Sequence, residues 1–197
     1  MNLISSALTA IHFLVILQPY TYRSNVYQRR VLLENTITHV GPIDDNFVVS
    51  IQQIIFSYRE QPSSLRLNIS SSGGSVISGI TAYNFLKQLP YPIVCHNLGE
   101  VSSAAILPYL AGSIRTAEPI SKFMLHPVEI PMQGSLAFFK VEETLSIIAK
   151  DIDNYASIVK REVPQFAEKH DIVDLLKHKS LVMSPSDAYS AGILTII

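Results

Sequence analysis

Three features of this 197-residue chain could do chemistry if folding brought them together. The first is the pair Ser102 and Ser103 in GEVSSAAILPYLAG, residues 99–112, where a glycine turn opens onto two hydroxyls and then an apolar run at helical spacing. A serine at the first turn of a helix sits beside backbone N–H groups that lack intrahelical partners and beside the positive end of the helix dipole. Both stabilise a developing oxyanion. Ser103 is the candidate nucleophile, and the competing reading is that Ser102 or Ser103 only caps the helix. The second feature is His126, which ends the apolar segment KFMLH ahead of Pro127 and is either a general base or an ordinary structural histidine. The third is the pair Gly73–Gly74, a source of backbone donors or simply a turn. Together they supply the nucleophile, base and oxyanion donors of an acyl-transfer site.

The flanking segments read as a scaffold for such a site. VLLE and TITHV, closed by Gly41–Pro42, predict a strand, and Asp44 is placed to cap a helix through NFVVSIQQIIFSYRE. SSLRLNIS alternates Leu65, Leu67 and Ile69 as a buried strand does, and runs into the glycine pair and then a helix, ISGITAYNFLKQL, ended by Pro90. YPIVCHNL predicts the next strand, delivering the chain to Gly99 and the serine helix. This β-α-β-α order calls for a sheet rich in parallel pairs. A short strand, SKFMLH, follows.

Residues 132–163 predict a long helix with a heptad-like stripe of Phe138, Val141, Leu145, Ile148, Ile152, Tyr155 and Val159, stopped by Pro164. The tail predicts a short helix, a capped helix SPSDAYSAG and a final strand.

Composition narrows the function. Net charge is −1, from 15 basic and 16 acidic residues, with no basic run that could track phosphates, so nucleic acid is not an expected partner. The single cysteine, Cys95, cannot form an intramolecular disulfide and suits a reducing, cytoplasmic setting, with a buried structural thiol as its default role. Residues 7–17, ALTAIHFLVIL, are too few to span a bilayer and lack the flanks of a signal peptide. The histidines are scattered without ligand spacing, so neither a metal nor any other cofactor is expected. The chain reads as an amino-terminal arm over residues 1–25 and one domain over residues 26–197, without repeats or linkers.

The quoted segments resemble those of one family, the proteolytic subunit of the Clp-type ATP-dependent serine proteases. SSSGGSVISGITAYNFL is similar to that family's glycine loop, NSPGGSVTAG, with Ser72 in place of proline. GEVSSAAILPYLAG is similar to its nucleophile segment, GQAASMGAFLLAAG, and KFMLHP to its RVMIHQP segment. The ending SPSDAYSAGIL is similar to SAPEAVEYGLVD. The resemblance runs from about Arg30 to the carboxyl terminus. It implies an α/β, crotonase-like fold, a β-spiral head with a long protruding handle helix. It puts the nucleophile on Ser103, the base on His126 and the oxyanion donors on the N–H groups of Gly74 and Ala104. It also implies a peptide or unfolded-protein substrate, bound by β-addition, and self-association through handles into seven-membered rings, single or double, that enclose a chamber. An ATP-dependent unfoldase is the implied partner.

The pattern breaks at one position. Where the family carries the triad aspartate, counting back from Gly192 gives Ser180, which can accept or donate a hydrogen bond but carries no charge. Asp171, Asp174, Asp187 and His178 are the nearby residues that could compensate. Pro108 is expected to kink the serine helix. Three functions compete: a serine peptidase with an atypical or incomplete triad, a catalytically impaired subunit kept for structure or regulation, and an acyl-CoA enzyme that uses the backbone donors without Ser103.

Overall fold

In the computed structural model, the described residues are 35–129, 135 and 137–196. The expected amino-terminal arm, the apolar segment 7–17, the start of the first strand and the expected opening of the long helix lie outside them.

The first element among the described residues is β1 (Asn35–Val40), and Asp44 then caps α1 (Asp45–Phe56), its carboxylate accepting from the Phe47 N–H at 2.8 Å. β2 (Leu65–Ser71) buries alternate residues, Leu65, Leu67, Ile69 and Ser71, as its period of two requires. Ser75 caps α2 (Val76–Lys87), and β3 (Ile93–Ser102) follows. These strands pair in parallel, β1 with β2 and β2 with β3. β3 is long enough to serve two partners on its other edge: its first half pairs with β4 (Ile114–Ala117) and its last three residues with β5 (Lys122–Leu125), both in parallel. β6 (Leu181–Met183) closes that side antiparallel to β5.

Between β3 and β4 the chain makes a 3-10 turn, Ser103–Ala105, and the five-residue helix α3 (Ile106–Leu110). The long helix α4 (Phe138–Glu162) ends ahead of Pro164, which opens α5 (Pro164–Lys169); α6 (Ile172–His178) and α7 (Pro185–Ser190) complete the order. The core lies between the sheet and α1, α2, α3 and the carboxyl half of α4, with Ile51, Leu67, Tyr83, Leu107, Tyr109 and Phe123 all buried.

Four expectations are corrected. Gly99 does not open a helix, because β3 continues to Ser102 and bulges there. The register moves from Ile69–Asn97 to Ser71–Val101, and the Asn97 side chain accepts from the Gly99 N–H at 2.9 Å. The serine helix is a 3-10 turn plus five residues, and Pro108 falls in the first turn of α3, where its missing N–H costs little.

The carboxyl terminus is not a strand. Buried Arg115 instead holds it, donating to the carbonyls of Gly112, Gly192 and Ile193 at 2.7–3.1 Å, while its own carbonyl accepts from the Thr195 N–H. β6 was not legible as a strand, since three residues are too few to show a period. Finally, the stripe on α4 divides: Ile152, Tyr155 and Val159 are buried, whereas Phe138 is 77% and Leu145 60% exposed.

Candidate active site at adjacent strand ends

Parallel strands place their carboxyl ends side by side, and three adjacent ends here carry the three features of interest. β2 ends at Ser71, two residues before Gly73; β3 ends at Ser102, one before Ser103; β5 ends at Leu125, one before His126. Ser102 pairs with Met124 in the β3–β5 ladder, so Ser103 and His126 leave the sheet from neighbouring strands within one residue of the same level. Crevices outside the carboxyl ends of parallel strands are where α/β sheets bind ligands.

Ser103 has a φ of +52°, a left-handed conformation that costs an L-residue about 1–2 kcal/mol and persists only when its surroundings over-determine it. Gly73 packs against it. A Cβ added at Gly73, itself at φ +108°, would lie 2.6 Å from the Ser103 Cβ and 3.2 Å from the Ala104 nitrogen, so only glycine fits. Gly74, at φ +147°, runs equally close to Ile43, where a Cβ would meet the Ile43 carbonyl oxygen at 2.4 Å. The loop is pinned there by hydrogen bonds from the Ile43 N–H to Gly73 and from the Ser75 N–H to Ile43, at 2.9 and 2.8 Å, and by the Ser71 hydroxyl, which accepts from the Gly73 N–H. The Gly74 N–H makes no backbone bond in this loop, and Ala104 precedes the first N–H that the 3-10 turn can engage.

The cap reading of Ser102 is not what the side chain does. Ser102 stands at the cap position without a capping bond and is buried, donating instead to Glu100 at 2.7 Å, and Lys122 pairs with the same carboxylate. α3 is too short for its dipole to matter greatly, so what the site offers an oxyanion is individually aimed N–H groups.

His126 Nδ1 lies 2.8 Å from the Pro127 carbonyl oxygen. A carbonyl only accepts, so Nδ1 carries a proton, and in a neutral ring that leaves Nε2 as the acceptor, the form a general base needs. The loop after it is fastened by the Val128 N–H to the Leu176 carbonyl. No hydrogen bond joins His126 to Ser103, and the Ser103 hydroxyl has no partner among the described residues.

The residues considered as compensating acids are engaged elsewhere. Ser180 is exposed and follows α6. Asp171 caps that helix. Asp174 accepts from Lys179 at 2.5 Å and His178 at 3.0 Å, contacts that hold its carboxyl below the usual range, Lys179 the more strongly. Asp187 closes a capping box with Ser184, which likewise lowers its pKa.

The sequence did not single out Tyr155 as part of the site. It donates its hydroxyl to the Ser103 carbonyl at 2.7 Å from the buried half of α4, and burial pushes its phenol up so that it stays protonated. Its place in the apolar stripe reads only as core. Among the described residues no group of side chains could hold a metal ion, and no helix is long and apolar enough to cross a membrane.

The sheet, the glycine loop against a left-handed serine and the long helix define the architecture on which comparison with known proteins bears. A family profile described as Clp protease matches residues 20–197, and the chain belongs to that family. Among solved structures, it is similar to a point mutant of ClpP1 from Listeria monocytogenes at 21% identity, over 81% of this chain and 88% of that one, with a TM-score of 0.68. At that identity the likeness establishes the crotonase-like fold with its long helix.

Proposed function

We propose that the protein is a serine endopeptidase of the Clp type, with Ser103 as nucleophile and His126 as base. The observation that carries this reading is the strained Ser103 backbone packed against Gly73 at the end of β3, with His126 leaving the adjacent strand one residue past its end. A left-handed serine fitted against a glycine that tolerates no Cβ is costly to keep unless the hydroxyl is used.

In this mechanism the Ser103 hydroxyl attacks a peptide carbonyl as His126 Nε2 takes its proton. The N–H groups of Gly74 and Ala104 hold the oxyanion, and the imidazolium then protonates the leaving amine. The Pro127 carbonyl orients the histidine through Nδ1, the task the family gives to an aspartate, but it stabilises the imidazolium with a dipole and not with a full charge. Substrate would lie along the Gly73 segment as an added strand. Rings formed through α4, an enclosed chamber, feeding by an unfoldase and a cytoplasmic setting complete the proposal; residues 1–25 would be an arm on the single domain.

A second reading has its own support. With Ser180 exposed and the nearby aspartates committed elsewhere, the protein could be a catalytically impaired subunit of such an assembly. Labelling the assembled protein with a fluorophosphonate, with mapping of the modified peptide, separates the two. Modification at Ser103 that is lost in Ser103→Ala and falls by about three or more powers of ten in His126→Ala supports the peptidase. An assembled, unlabelled protein supports the impaired subunit.

A further inference from the structure

The Ser103 carbonyl and the Ala104 N–H belong to one peptide unit. Such a unit is planar and trans, so its C=O and N–H point in opposite directions, and fixing the oxygen aims the N–H. Two donors reach that oxygen. One is the Ile106 N–H of the local turn; the other is the Tyr155 hydroxyl, 2.7 Å away on α4 and 52 residues along the chain. The first donor moves with the turn it closes. Tyr155 does not, because it is 1% exposed and packed beside Ile152, Ala156, Ile158 and Val159 on the buried half of α4.

We propose that Tyr155 is a positioning residue: by holding the Ser103 carbonyl, its hydroxyl aims the Ala104 N–H at the developing oxyanion and keeps Ser103 in its left-handed conformation. The site therefore takes part of its geometry from α4, and a shift of that helix by a fraction of a hydrogen-bond length would turn the peptide and misalign both groups. This inference rests on Ser103 being the nucleophile and adds the element that orients it.

Tyr155→Phe removes the donor and keeps the ring. A matched control exists in Tyr109→Phe, since Tyr109 is equally buried and donates to the Thr116 carbonyl at 2.9 Å. Both variants lose one buried hydrogen bond and a similar amount of thermal stability. Only Tyr155→Phe is expected to label with the fluorophosphonate more slowly, on the order of tenfold, and to lower kcat for a fluorogenic peptide with KM unchanged. If Tyr155→Phe does not fold, 4-fluorophenylalanine at position 155 fills the hydroxyl's space without donating and is held to the same expectation. Equal labelling rates in wild type and the Tyr155 variant overturn the inference while leaving the peptidase reading intact, and so does an equal loss in both tyrosine variants. A wild-type protein that does not label at all removes the peptidase reading and this inference with it.

Discussion

The two halves of α4 carry the same apolar stripe and meet opposite fates. From Ile152 to Val159 the stripe is sealed into the core against α2, α3 and α6, and Ile152 is 3% exposed. From Phe138 to Leu145 it faces out, with both of those residues more than half exposed, and Phe139 and Ile147 on the neighbouring faces are at least half exposed as well. Periodicity tells which face of a helix is apolar and is silent about what covers it. The buried half supplies Tyr155, whose hydroxyl reaches the Ser103 carbonyl; the open half is an exposed apolar surface of the kind that marks association.

The sharpest way to break this contrast is to put the same charge into each half. Ile152→Asp should unfold the protein or cost at least about 4 kcal/mol in denaturant titration, because the carboxylate would be buried without a partner. Leu145→Asp should stay within about 0.5 kcal/mol of wild type as a folded chain yet elute later in size-exclusion chromatography. Equal stability losses would mean that the halves do not differ, and an unchanged elution volume would exclude the open half from assembly.

The next largest effect belongs to the site end of the comparison. Gly73→Ala should slow fluorophosphonate labelling about a hundredfold, since its Cβ must push either Ser103 or the loop by a sizeable fraction of an ångström. The same change at Gly99, where a Cβ would find only the Ser70 hydroxyl at 3.4 Å, should be mild in the same assay.

A smaller, pH-dependent effect should come from the sheet and not from the open half of α4. His96 is buried between Thr116 and Glu118, and burial, the larger influence, holds its pKa below the ordinary value against the pull of Glu118. The unfolded chain therefore takes up a proton at higher pH than the folded one. The stabilising contribution is complete above the unfolded pKa of about 6.5 and is lost as pH falls toward the depressed folded value. Melting scans at about pH 7.5 and about pH 5.5 should show a lower melting temperature at the lower pH, by a difference that His96→Gln reduces. The smallest effect is a null: Cys95, fully buried with its thiol pushed up to about 12, should resist thiol reagents at neutral pH until the protein unfolds. Rapid modification of the native protein would place it outside the core.

Much of the scaffold was legible because its signals are local. Asp44 and Ser75 cap the helices they precede, β2 buries every second residue, and the order of strand and helix segments calls for parallel pairing. What was misread involved competition between neighbours. Gly99 looked like a turn until the Asn97 side chain and the β2 register made it a bulge. The last residues looked like a strand until Arg115 claimed their carbonyls.

The candidate site divides along the same line. Residue types and spacing alone nominated Ser103, His126 and the glycine pair, because glycine turns and strand ends are written in consecutive residues. Only the tertiary structure decided that Gly73 leaves no room for a Cβ beside Ser103, that Pro127 takes His126 Nδ1, that the aspartates near Ser180 are engaged elsewhere, and that Tyr155 reaches the Ser103 carbonyl. Those contacts join residues far apart in the chain or depend on which way a side chain turns, and a hydrogen bond across 52 residues leaves no period or motif in the sequence that makes it.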